Sequence, residues 1–287
     1  MSSPPSSLAV FGPGLMGGSL LMALREKHPG VRLAAWARRE DALADLQTRG
    51  LADFVSTDAR KVAGAAEMAV LCVPVDRLGE VARAMAPAME AGKVVTDVGS
   101  VKQPVVGELE KIFAGHRNFV GSHPMCGSEE AGLTAARADL YQGALCVVTP
   151  TEETASETLS RVESLWASVG GRPRRMSPSE HDRAAALASH VPHVVAAALV
   201  ELVARGGGAA PELCASGFRD TTRVASGHPG LWAAILESNR QEVAGALRQL
   251  AENLRHLVGL LESGQMTGVE KFLSEARQHR ENFLNHP

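Results

Sequence analysis

The chain has 287 residues, 45% hydrophobic and 21% charged, enough for two domains with cores of their own. A formal charge of −3 and a pI near 6.4 give no overall attraction to nucleic acid or an anionic membrane. No apolar run approaches the roughly 20 residues of a membrane helix.

"MSSPPSSLAV" lacks the basic start of a secretory signal and reads as a short disordered leader. Apolar runs at Leu8–Phe11, Val31–Trp36, Met68–Val73, Val94–Asp97, Asn118–Gly121 and Leu145–Thr149 then predict strands. Between them, segments such as "LMGGSLLMALREK" and "RLGEVARAMAPAME" place apolar residues at helical spacing. This alternation predicts a parallel sheet with crossover helices, an α/β Rossmann-type domain. A helix over Glu152–Val169 and a short strand around Arg174–Met176 complete it. Next, Ser179 with Asp182 three residues on predicts a helix start, and an Ala/Leu/Val helix runs to about Arg205. After "GGGAAP" only helices are expected, including Arg240–Glu262 and Val269–Leu284. The expected domains are therefore residues 1–178, dinucleotide-binding, and 179–287, all-α. The cysteines Cys72, Cys126, Cys146 and Cys214 show no paired spacing, which predicts free thiols in a reducing cytoplasm rather than disulfides or a zinc site.

"LAVFGPGLMGGSLLMAL" sets Gly12, Gly14 and Gly17 directly after a strand and at the opening of a helix. In that context the spacing predicts a dinucleotide site: a tight turn at Gly12, backbone approach to pyrophosphate at Gly14, close helix packing at Gly17. Leu15 and Met16 within the turn, and Val73 and Pro74 after a neighbouring strand, are expected on the same cofactor rim. The second strand ends in "AAWARRED", with Ala37 where an NAD site would carry an acid. Arg38 and Arg39 without that acid favour the 2′-phosphate of NADP over NAD. The other reading is that Arg38 only stacks on adenine.

Four polar clusters lie outside this turn: "TDVGSVK", "GSHPMCGSEE", "LASHVPHVV" and "GFRDTTR". The first two follow strands, where a doubly wound sheet binds ligands. The imidazole of His123 sits among small residues in a loop-like setting. His190 and His193 flank Pro192, where a helix kink is expected; no third ligand suggests a metal. Cys126 beside His123 has no acyl chemistry to serve as a nucleophile.

Together with "GPGLMGGSL" and "GFRDTTRVASGHPGLW", these clusters resemble the prephenate/arogenate dehydrogenase family, over roughly Leu8 to Leu261. The resemblance implies a Rossmann domain followed by a helical dimerisation and substrate domain, a homodimer, and a small-molecule substrate. It implies His123 as catalytic base, Ser100 as a catalytic serine near the substrate hydroxyl, His193 in the substrate site, and Arg223 on a substrate carboxylate. A base with pKa near neutrality suits the chemistry. Capping of a helix starting at Val101 is the alternative role for Ser100. Arg219 and Asp220 are expected in an ion-pair network with Glu129 that gates the site. Trp232 either approaches the partner subunit's pocket or packs in the core, and His190 is expected to be structural.

Arogenate-preferring members often carry an acid right after the "HPMxG" segment; here Ser128 stands there, with Glu129 next. Prephenate is therefore the expected substrate, with arogenate the alternative and a catalytically silent NADP-binding sensor a remote one. With the sequence ending at residue 287, soon after the last expected helix, no added mutase or regulatory domain is expected.

Overall fold

The computed structural model describes residues 4–285. Of the expected leader, residues 1–3 lie outside the described residues, and Ser6 already donates its N–H to Glu67 Oε1 at 2.7 Å. In chain order the first elements are β1 (Ser7–Phe11), α1 (Leu15–Lys27), β2 (Arg32–Trp36), α2 (Glu40–Thr48), β3 (Phe54–Ser56), α3 (Ala59–Gly64), β4 (Met68–Leu71), α4 (Leu78–Met85), β5 (Val94–Asp97) and α5 (Gln103–Ile112). The five strands form one parallel sheet in the order β3-β2-β1-β4-β5.

Every residue of β1, β4 and β5 is buried, as parallel strands covered on both faces require. Successive residues feed opposite layers. Leu8, Val10, Met68, Val70 and Val94 pack with Leu20, Leu21 and Leu24 of α1. Ala9, Phe11, Ala69, Leu71 and Val95 pack with α3, α4 and α5 through Val62, Ala82, Met85 and Leu109. The sequence reading missed β3. It is three residues long, pairs only with β2, and leaves Phe54 exposed, so it carries no apolar run.

Beyond α5 follow β6 (Gly121–Pro124), β7 (Leu145–Thr149), α6 (Ser156–Ser168) and β8 (Arg172–Arg175). They differ from the expected continuous parallel sheet. Phe119 makes one parallel bridge to Val95, after which β6 turns to pair antiparallel with β7, and β8 joins β7 in parallel. The strand expected at Asn118–Gly121 thus starts later, and His123 lies on β6 opposite Val147 rather than in a loop. Ser122 Oγ fixes this turn, bonding Asp97 O at 2.6 Å, Thr96 Oγ1 at 2.9 Å and Trp166 Nε1 at 3.0 Å.

The remaining elements are helical: α7 (Pro178–Ala185), α8 (Val191–Gly206), α9 (Ser216–Thr222), α10 (Pro229–Ser238), α11 (Arg240–Glu262) and α12 (Met266–Asn285). The cap of α7 is Ser177, not Ser179. Its hydroxyl accepts from Glu180 N at 3.2 Å, and Pro178 occupies the first helical position, where a missing N–H costs nothing. Between α7 and α8, residues Ala186–His190 form a π-helical turn just before Pro192. It is the irregularity expected from a proline that cannot bond Ala188.

Taken together, Pro178–Gly206 is one 29-residue helix with an 18-residue window of mean hydropathy 1.6, long and apolar enough to cross a membrane by length and composition. This corrects the expectation that no run approaches that length. The interruptions at Ser189, His190, Pro192 and His193 hid a stretch without Asp, Glu, Lys or Arg from Ala184 to Val200. Only 28% of the window is buried within this chain.

By compactness the chain divides into one unit ending at Arg240 and a second beginning at Gln241. Helices α7–α10 fall in the first unit, through the buried contacts described next. The second unit holds α11 and α12, turned at Gly264, whose φ is +68°.

At the base of β6 lies a fully buried ion pair. Lys102 Nζ donates to Asp97 Oδ2 and, at 2.8 Å, to Ser122 O. Burial lowers the Lys102 ammonium pKa, and the Asp97 charge opposes that shift. Lys102→Met should strand Asp97 and destabilise the fold by about 3–5 kcal/mol. Adding Asp97→Asn should recover much of the loss. Urea unfolding of both variants checks this; a single variant within about 1 kcal/mol of wild type would contradict it.

Candidate active site

β1 ends at Phe11 and α1 begins at Leu15, so Gly12, Pro13 and Gly14 make the whole turn. Gly12 has φ +99°, and a Cβ there would lie 2.7 Å from the Cys72 carbonyl oxygen and 2.9 Å from Val73 Cγ1. A Cβ on Gly17 would meet Val10 Cγ1 at 2.7 Å, so only glycine lets α1 approach β1 this closely. One on Gly14 would meet nothing within 4 Å. Gly14 is the N-cap of α1 and provides no side-chain cap, which leaves the first-turn N–H groups at Leu15 and Met16 available to an anion.

Gly12 N donates to Trp36 O at 3.0 Å, tying the turn to the end of β2. There Ala37 is buried, Arg38 and Arg39 are exposed, and Arg39 pairs with Asp41 at 3.3 Å. Val73 and Pro74 border the turn from the end of β4. The donor set fits a dinucleotide: open backbone where a pyrophosphate would lie, and cations at the ribose edge.

His123 is 8% exposed, and its Nδ1 lies 2.8 Å from His181 Nε2. His181 Nδ1 in turn lies 2.7 Å from Asp182 Oδ1. A carboxylate only accepts, so His181 carries its proton on Nδ1 and offers a lone pair at Nε2. His123 must then donate from Nδ1, which leaves its Nε2 as the unprotonated atom. Burial first, then the neighbouring His181, Lys102 and His190, push the His123 pKa well below 6.5. Desolvation thus favours the neutral imidazole.

Asp182 also organises the backbone of the opposite element. Its Oδ1 accepts from Lys102 N at 2.7 Å and its Oδ2 from Gln103 N at 2.8 Å, at the start of α5. Ser100 therefore does not cap a helix beginning at Val101; α5 begins at Gln103 and a distant side chain caps it. Ser100 is half-buried after β5, with its backbone beside the His190 ring.

His193 stacks on Trp232 with ring centroids 3.6 Å apart and an interplanar angle of 12°, and His190 meets the same indole edge-on at 6.2 Å. Trp232 thus packs against His193 of its own chain. Burial lowers the His193 pKa, while the Val224 backbone opposes the shift. That contact brings neighbouring Arg223 to the same side. Arg223 Nη1 bonds Glu129 Oε2 at 2.5 Å and holds the Glu129 carboxyl below the usual carboxylate range. The expected network is corrected here: Arg223, not Arg219 or Asp220, pairs with Glu129. Arg219 and Arg223 lie four residues apart across α9 and the turn after it, and only the later one reaches Glu129.

The structure therefore gathers Ser100, His123, His190, His193 and Arg223 around one region. Leu133, which follows the histidine strand, packs over Gly18 of α1. Sequence reasoning missed His181, Asp182 and the Asp97–Lys102 pair. The adjacent His and Asp in "SEHD" were a signal, but Asp182 was read only as part of a helix start.

Residues 20–174 match the nucleotide-binding domain of prephenate dehydrogenase, and residues 177–275 match its dimerization domain. A cyclohexadienyl dehydrogenase of Zymomonas mobilis is 33% identical over 87% of this chain and 86% of its own length. A prephenate dehydrogenase of Bacillus subtilis is 29% identical over 98% of this chain and 77% of its own. Among solved structures, prephenate dehydrogenase from Aquifex aeolicus in complex with hydroxyphenyl propionate and NAD+ superposes with a TM-score of 0.92, at 29% identity and 99% coverage of both chains. Synechocystis arogenate dehydrogenase superposes at 0.83, also at 29% identity, over 96% of this chain and 99% of its own. With both domains matched in order and the fold shared from end to end, the chain belongs to the prephenate dehydrogenase family.

Proposed function

We propose that this chain oxidises prephenate, with decarboxylation, to 4-hydroxyphenylpyruvate. The observation that carries the reading is the Asp182–His181–His123 chain, which leaves His123 Nε2 as the unprotonated atom. The bound nicotinamide supplies the acceptor for the hydride leaving C4 of the substrate. His123 Nε2 takes the proton of the C4 hydroxyl, and the imidazolium so formed is stabilised by His181 backed by the Asp182 carboxylate. As the ring carboxylate leaves as CO2, its electron pair aromatises the ring, and His123 returns its proton to the oxygen. Ser100 orients the hydroxyl, and His193, held by Trp232, lines the substrate. Arg223 binds a substrate carboxylate that competes with Glu129 for the guanidinium.

Arogenate is the second reading, favoured by the acid Glu129 at the Arg223 side and by the arogenate dehydrogenase among the structural relatives. We infer a domain boundary near residue 178, supported by the change there from strands to helices. The homodimer forms through the helical part, which leaves Leu187, Leu202 and Leu213 exposed. Free cysteines and this biosynthetic chemistry fit the cytoplasm.

His123→Asn should keep cofactor affinity and lose about 10²–10⁴ in turnover. In wild type, kcat/KM should fall with decreasing pH through an ionisation below 6.5, since burial depresses the His123 pKa. Steady-state rates against pH test both, and a variant within about threefold of wild type refutes the base.

Arg223→Ala should raise the substrate KM about tenfold or more with a smaller change in kcat, because carboxylate anchoring is shared by ground and transition states. An unchanged KM would locate the carboxylate elsewhere.

The cofactor reading is NADP+ ahead of NAD+, because Ala37 presents no carboxylate to the 2′-phosphate and Arg38 and Arg39 are exposed beside it. The preference should be about tenfold in kcat/KM and should shift toward NAD+ in Ala37→Asp with Arg39→Ser. Measuring prephenate and arogenate with each cofactor decides substrate and cofactor together. A higher wild-type kcat/KM with NAD+ overturns the arginine assignment.

A further inference from the structure

Asn239 follows the last residue of α10, the helix that carries Trp232, and is 4% exposed. Its Nδ2 donates to the carbonyl oxygen of Asp182 at 2.9 Å and lies 3.1 Å from His190 Nδ1. A carboxamide nitrogen has two hydrogens and no lone pair to offer, so each contact takes one of them. The Asp182 carbonyl, which also receives Ala186 N, is thereby satisfied on both lone pairs. His190 Nδ1 must accept, and its proton then sits on Nε2. The ring is fully buried, and burial lowers its pKa to about 4, so it is neutral at physiological pH.

The two residues held by Asn239 stand at the two ends of the π-helical turn, Asp182 in the helix before it and His190 as its last residue. Asp182 leads through His181 to His123, and His190 lies beside the Ser100 backbone. We propose that Asn239 is a positioning residue for the oxidation: one carboxamide holds the Asp182 backbone behind the His123 base and fixes the tautomer of His190. The proposal rests on the reading of His123 and Ser100 given above. Single π-turns interrupt the regular α-helical ladder and are frequent at functional sites, and here one outside donor reaches both flanks of the turn.

The isosteric change Asn239→Asp keeps the shape and removes the donors. The new carboxylate faces the Asp182 carbonyl and draws a proton onto His190 Nδ1. Asn239→Ala removes both bonds without adding charge. Long-range ¹H–¹⁵N correlation on ¹⁵N-histidine protein reads the ring state directly, with His190 assigned by the signals lost in His190→Gln. Wild type should show the neutral Nε2–H form, and Asn239→Asp the Nδ1–H or doubly protonated form. On the same samples, kcat should fall about tenfold or more in both Asn239 variants, with the cofactor dissociation constant within about twofold of wild type.

A merely structural asparagine would lower the melting temperature and leave kcat per folded enzyme unchanged, and that outcome overturns the proposal. So does a wild-type His190 protonated on Nδ1. If neither variant folds, the wild-type tautomer alone decides. Absence of turnover with both prephenate and arogenate would defeat the functional reading instead, while the tautomer would still report the Asn239–His190 bond.

Discussion

The Asp182 carboxylate is the contact on which the geometry of the site depends. Its two oxygens receive the first backbone N–H groups of α5 and the Nδ1 proton of His181. A negative charge at a helix N-terminus is favourable and satisfies donors that would otherwise be orphaned. The same charge dictates which nitrogen of His181 is protonated, and so which nitrogen of His123 is free. Helix capping and orientation of the candidate base are therefore one interaction. A shift of α7 against α5 would disturb both.

Polar groups this deeply buried are tolerated because they are paired. Asp97 receives Lys102 Nζ, Ser122 N and Gly99 N, while Lys102 also reaches the Ser122 carbonyl. Desolvation opposes each charge, and only several short contacts at once offset it. The consequence for His123 is positional: its neighbour Ser122 is held through backbone N–H, backbone carbonyl and hydroxyl. It is also electrostatic, since the Lys102 charge adds to burial in disfavouring the imidazolium. A candidate base held neutral and positioned by two buried networks would need little rearrangement on substrate binding.

The substrate side is built differently. Arg223 is 59% exposed at its side chain and engaged with Glu129, a contact that a competing carboxylate can replace. His193 is positioned by the face of Trp232 rather than by a charge. Rigid groups thus surround His123, and exchangeable ones stand around Arg223 and His193.

Local chemistry determined the parts of this protein that are legible in the sequence. Gly12, Gly14 and Gly17 after a buried run specify the turn, because no other residue fits Gly12's φ or the approach of α1 to β1. The apolar runs of β1, β2, β4 and β5 specify the parallel sheet, and the polar clusters name His123, Ser100, His193 and Arg223 as residues to watch. Tertiary structure alone decided the rest. β3 is too short and exposed to leave a pattern, and β6 takes its direction from Asp97, Thr96 and Trp166, distant in the chain. The partner of Glu129 depends on how α9 is placed, and the state of His123 depends on burial. His181, Asp182 and Asn239 become part of the site through hydrogen bonds across 49 to 80 residues, and no local periodicity records such contacts.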